Sequence, residues 1–185
     1  MKGLKTTTIS ILAVGLLAGA AVGVAAQDEE GDSPADSHKA AAVSGSSAYG
    51  IQTDPGQTVE GEGKTSLLGE ARRATLSEMS DPRLNGTMRT VYNRDIHGLA
   101  GQLMSFSTRI DNEQGSWLGT GQGFWDTDDA SWYFEAVYAG EGAYEGLSAV
   151  MQILATGRGE FSYNGLVFPG EMPQVPPVPV ASARQ

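Results

Sequence analysis

The chain has 185 residues, with 22 Asp and Glu against 12 Lys and Arg, a formal net charge of −10. So acidic a chain repels phosphate backbones, which are gripped by clustered Lys and Arg that release counterions; nucleic acid is not expected as a partner, nor is docking on an anionic membrane surface. There is no cysteine, which excludes disulfides, a thiol nucleophile and cysteine-based zinc sites and leaves the fold to its own core.

Lys2 and Lys5 precede an uncharged run from Thr6 to Ala26 that closes on Val24-Ala25-Ala26. A positive start, an apolar stretch and small residues at its end form the pattern of a secretory signal peptide, here spanning 1–26 with cleavage before Gln27. The run approaches the roughly 20 residues that cross a bilayer, so an uncleaved anchor is the alternative. The expected location is secreted or otherwise extracytoplasmic, with no membrane attachment after cleavage. Residues 27–64 are rich in Ser, Ala, Gly, Asp and Glu, and their only large apolar side chains are Val43, Tyr49, Ile51 and Val59. So little apolar surface cannot offset the entropy of ordering, and a disordered acidic linker is expected there. The folded domain is expected over 65–170. The tail, 171–185, carries Pro173, Pro176, Pro177 and Pro179 and reads as an extended polyproline-like segment.

Thr65 to Met79 is ambiguous. Leu67, Leu68, Ala71, Ala74 and Leu76 fit a helix face, yet a strand over Ala71–Met79 is favoured to complete a sheet. Beyond it the signal is alternation and punctuation. Asn85-Gly86 is a hairpin dipeptide. Strands follow over Thr87–Ile96, Leu103–Asp111, Ser116–Trp125, Ser131–Ala139, Tyr144–Ala155 and Phe161–Phe168, with a bulge at Asn164-Gly165. Met104, Phe106, Thr108 and Ile110 share one face, as do Trp132, Phe134, Ala136 and Tyr138. Trp117, Gly119, Gly121, Gly123 and Trp125 share another, which suits a strongly bent strand. The expected fold is all-β, an antiparallel closed barrel of about eight strands, since closure hides the sheet edges.

Three stretches, Ser80-Asp81-Pro82-Arg83-Leu84-Asn85-Gly86-Thr87, Gly115-Ser116-Trp117-Leu118-Gly119 and Gly142-Ala143-Tyr144-Glu145-Gly146-Leu147 with Phe168-Pro169-Gly170, resemble a set of uncharacterised secreted bacterial proteins over about Met79–Gly170. That resemblance implies an architecture and no reaction. More remotely, Gly140–Gly146, a strand and then Val167-Phe168-Pro169 look like the closing strands of allene oxide cyclase and dirigent-type barrels. This implies an eight-stranded antiparallel barrel with an apolar cavity. The cyclase's catalytic constellation has no counterpart here, so no catalytic role is carried over.

The only histidines are His38, in the linker, and His97, in a Gly-rich turn, where a solvated histidine is expected and not the positioned base of a triad. Asp126, Asp128 and Asp129 crowd one turn but lack the spacing of a calcium loop, and no metal or other cofactor is called for. Five residues are candidates for binding a ligand. Glu135 and Glu145 alternate with apolar residues, so each lies at a barrel mouth or inside it, where a carboxyl pKa rises and paired carboxylates can do glycosidase chemistry. Arg109 either pairs with acidic neighbours outside or anchors an anion inside. Trp117 and Trp125 either pack the core or line a pocket. The leading function is an exported barrel that binds a small apolar or amphipathic molecule. The alternatives are an isomerase- or cyclase-type enzyme using the cavity, and a surface interaction protein with a filled core. Open interior volume separates the first two from the third.

Overall fold

The computed structural model describes residues 39–126, 130–156 and 159–174. The leader, linker residues 27–38 with His38, Asp128 and Asp129 of the proposed calcium turn, and the tail from 175 onward lie outside the described residues. Among the described residues there are ten strands: β1 (Ala41–Ala48), β2 (Ile51–Asp54), β3 (Gln57–Gly61), β4 (Lys64–Leu76), β5 (Gly86–Ile96), β6 (Gln102–Asp111), β7 (Gly115–Asp126), β8 (Ser131–Gly142), β9 (Leu147–Thr156) and β10 (Glu160–Pro169). All pair antiparallel in one sheet, in the order β1-β10-β9-β8-β7-β6-β5-β4-β2, with β3 also on β4. The sheet forms a half-barrel, and the described residues contain no α-helix.

One face of the sheet is the core. Met104, Phe106 and Ile110 of β6, Phe134, Ala136 and Tyr138 of β8, Ala149, Met151 and Ile153 of β9, and Tyr163 and Val167 of β10 are all buried. The glycines of β7 explain how so many rings fit. A Cβ at Gly119 would collide with the Tyr138 ring, one at Gly121 with Phe106, and one at Gly123 with Phe134. The strand gives up its own inward side chains so that its neighbours' rings can lie across it. Phe106 then meets Phe134 edge-on at 5.7 Å, and Phe134 stacks on Trp132 at 5.5 Å. Each buried ring stabilises by about 1.5–3 kcal/mol. A pocket of about 30 Å³ lies among these side chains, bordered by Tyr92, Tyr138, Tyr163, Thr90 and Thr108, room for about one water.

Several expectations are corrected. The sheet has ten strands rather than about eight, because residues 41–61, assigned by composition to the linker, supply β1, β2 and β3. The count of large apolar residues misleads there because the bulk comes from the partners. Gly45 of β1 sits against Met79, and only Val43 and Ser47 need turn inward, while eight register pairs tie β1 to β10. The ambiguous stretch is strand, and it starts earlier, at Lys64. Asn85-Gly86 makes no hairpin turn. Asn85 is extended (φ −73°, ψ 136°) and caps a 3₁₀ turn over Pro82–Leu84, while Gly86 is needed because a Cβ would strike the Asp111 carbonyl. No bulge interrupts Asn164-Gly165, whose register with β9 and β1 is continuous. Finally, β9 begins at Leu147, and 143–146 form a turn in which Tyr144 is buried against Trp117, rings stacked at 5.2 Å.

Burial pushes the Tyr92 phenol up to about 12, and raises Tyr138 and Tyr163 above their ordinary value as well. A free phenol titrates near about 10. Above that pH the unfolded chain has released protons that the folded chain still holds, so stability falls as pH rises from about 10 toward the folded values. In an alkaline titration, the phenolate absorbance should reach all six tyrosines only as circular dichroism reports unfolding. Full ionisation near pH ~10 with the fold intact would contradict this packing. A second expectation concerns Gly142, whose φ of +69° closes the β8–β9 turn. Gly142→Val should cost roughly 1–3 kcal/mol in chemical denaturation, through a side chain forced into the left-handed region.

Candidate functional site

Side chains alternate along a strand, and registers from β5 to β10 run without a shift. The outward residues therefore line up in rows that cross the strands. One row begins Arg73 (β4), Arg89 (β5), Arg109 (β6), Leu118 (β7), each the register partner of the next. It lies in a groove of about 1090 Å³ also walled by Val91, Val137 and Met172. Like charges placed directly opposite destabilise a sheet, so three successive arginines in so acidic a chain are a cost. Asp111 offsets part of it: it accepts from Arg109 Nε at 2.6 Å and lies 3.6 Å from Arg89. Glu141 sits 3.1 Å from Arg109, and the Ser116 hydroxyl accepts from the same guanidinium at 2.7 Å. The Asp111 hydrogen bond raises the Arg109 pKa, and in return Arg109 holds the Asp111 carboxyl below its usual range. Arg73 is exposed, and among the described residues its side chain makes neither an ion pair nor a hydrogen bond; Glu171, at the border of the groove, pairs with none of the three.

A second groove of about 1110 Å³ occupies the other end of the outer face. Its walls are two adjacent rows. The first is apolar: Leu103, Phe124, Tyr133 and Leu154. The second is polar: Ser105, Gln122, Glu135, Gln152 and Asn164.

Inside the sheet one charged cluster is built around Glu70, which is 1% exposed. Its two oxygens each meet an arginine at 2.6 Å, Arg72 on one side and Arg94 on the other. Gln52 donates to it at 3.3 Å. Arg72 lies 4.3 Å over the Tyr49 ring, and Arg94 lies 5.7 Å from that of Trp132. Arg94 Nε and Gln102 Oε1 are buried without partners. Glu70 points inward because of Gly69, whose φ of +75° shifts the β4–β5 register by one residue. Leu68 opposes the outward Asn93, but Glu70 opposes the inward Tyr92.

The five sequence candidates fall in four different places. Arg109 is outward and paired with acidic neighbours, the first of its two readings. Glu135 is outward and exposed in the other groove. Trp117 is fully buried, its indole N–H donating to the Arg83 carbonyl at 2.9 Å, so it is core. Trp125 faces inward and packs on Trp132 at 5.4 Å. Glu145 is exposed in the 143–146 turn. Seven strand residues separate Glu135 from Gly142, about 23 Å, which is too far for the paired carboxylates of a glycosidase. His97 is exposed at the start of a second 3₁₀ turn, Gly98–Ala100. Sequence reasoning missed Arg73, Gln122, Gln152 and Asn164, whose significance is in their register partners. It also missed Glu70, for which Gly69 read as a bulge was the available signal.

Glu70→Ala should destabilise by about 3–5 kcal/mol in urea melts, because it leaves two arginines facing each other. Replacing Glu70, Arg72 and Arg94 together with apolar residues should recover most of that loss, since a desolvated ion cluster contributes little net stability. A single variant that melts with the wild type would mean the cluster is hydrated.

In sequence comparisons, no family model and no curated protein matches this chain.

Proposed function

We propose that this chain is an exported β-barrel binding protein that captures a small amphipathic anion in the arginine-lined groove of its outer face. The observation that carries this reading is the row Arg73–Arg89–Arg109, three cations in register on adjacent strands beside the apolar walls Val91, Leu118, Val137 and Met172. A carboxylate, sulfate or phosphate head relieves the repulsion among them through charge-assisted hydrogen bonds, and an apolar tail covers the groove wall. The packed inward face favours the outer face over an internal cavity.

Closure of the barrel fits the path of the N-terminal segment. Over β1 it is bonded to β10, and over β2 it is bonded to β4, the opposite end of the sheet order. Ser80 N–H also donates to the Ser44 carbonyl at 2.8 Å, from the chain just beyond β4. One extended segment thereby joins both edges, in keeping with the resemblance to allene oxide cyclase and dirigent-type barrels. An apolar interior with Arg, Glu and Gln outside is the reverse of a membrane-spanning barrel, whose outer band is apolar. Export rests on the leader at 1–26.

Calorimetric titration with dodecanoate tests the reading. Binding is expected to weaken as salt rises. Arg73→Gln and Arg89→Gln should each lower the affinity about tenfold, and the inward Tyr138→Phe should leave it unchanged. Equal binding of an uncharged dodecyl detergent, or unchanged affinity in both arginine variants, would overturn it.

A further inference from the structure

The three arginines of the groove are not equivalent. Arg109 lies beside the next row along the strands, in which Thr87, Asp111, Ser116 and Glu141 are successive register partners from β5 to β8. Its guanidinium commits every nitrogen to that row. Nε donates to Asp111 at 2.6 Å, one terminal nitrogen donates to Ser116 at 2.7 Å, and the other lies 3.1 Å from Glu141. Arg89 stands directly opposite on β5, and its side chain is 64% exposed. It lies 3.6 Å from Asp111, beyond hydrogen-bond reach. Arg73, the register partner of Arg89 on β4, makes no ion pair or hydrogen bond among the described residues.

Asp111 is thus shared unequally. Its Oδ1 accepts from Arg109, and that bond is the main cause holding its carboxyl below the usual range. Its Oδ2 faces Arg89 without bonding it. A carboxylate in this place resembles the head of the expected ligand, with the same charge and the same acceptor geometry, and it can take the same guanidinium. A competitor tethered to the sheet is also present at high effective concentration. What keeps it from Arg89 is the charge-assisted bond to Arg109, which Ser116 and Glu141 anchor from β7 and β8.

We infer that Asp111 is an internal competitor for the anion site, and that Arg109 is a positioning residue that holds Asp111 off Arg89. The inference rests on the anion-binding reading of the groove and divides the arginine row by role. Arg73 and Arg89 contact the head group, and Arg109 does not. The head is then a single carboxylate or sulfate bridging β4 and β5, where it relieves the repulsion between two adjacent guanidinium groups. In a protein lacking Arg109, Asp111 turns to Arg89, and the ligand has to displace it.

The test is calorimetric titration with dodecanoate at low salt, using the full-length mature protein as wild type, Arg109→Gln, Asp111→Asn and the double variant. All four should melt together, because exposed ion pairs contribute little stability. Arg109→Gln should weaken binding about threefold, and Asp111→Asn should strengthen it about threefold. The double variant should bind like Asp111→Asn, since Arg109 then has no competitor to restrain. A double variant that returns to the wild-type affinity, as simple addition of charges requires, would overturn the inference. So would one as weak as Arg109→Gln, which would give Arg109 a direct contact with the ligand; either result leaves the groove reading intact. Dodecanoate bound by Asp111→Asn but not by the wild type would support both, with the competitor masking the site. Binding by neither would overturn the groove reading and this inference together.

Discussion

Everything else in this molecule depends on the rings of Phe106, Phe134 and Tyr138 lying across the glycines of β7. Any side chain at Gly119, Gly121 or Gly123 would displace a ring from the neighbouring strand. With the rings seated, the inward face is continuous from β6 to β10, and the pocket among them has room for about one water. Packing takes up the inward face, and the proposed binding groove lies on the outward one.

The same register serves both faces. Side chains alternate with a period of two, so a slip of one residue would expose the core and bury the outer rows. The tight fit of ring on glycine therefore also fixes Arg89 beside Arg109 and Gln122 beside Glu135. The device that breaks the alternation is Gly69, and it breaks it to turn Glu70 inward between Arg72 and Arg94. A buried ion cluster contributes little net stability. Its effect here is to tie the second half of β4, through Arg72, to Tyr49 and Gly50, on the segment that leads from β1 to β2.

The outer face carries two unlike surfaces about half a strand apart. Near Arg109 the arginines outnumber the carboxylates that pair with them, Asp111 and Glu141, within a chain that is acidic as a whole. Near Glu135 the row is nearly neutral, and its amides are unpaired.

The sequence by itself determined the strands from β5 to β10, apart from the start of β9, and which residues of each share a face, because alternation is a local property; which face turns inward it left open. It also placed Arg109 outside beside acidic neighbours, as one of two readings. It did not determine β1 to β3, whose own side chains are too small to announce a core position and which are held by ladders to β10 and β4. Nor could it separate Trp117, buried against Tyr144, from a pocket tryptophan, since the partner lies across a turn. The outward rows were decided only by tertiary structure. Arg73, Arg89 and Arg109, or Gln122, Glu135 and Gln152, come from three different strands, and no spacing along the chain records that they are neighbours. Their meaning depends on register, and register is set by how the aromatic rings pack on the far side of the sheet.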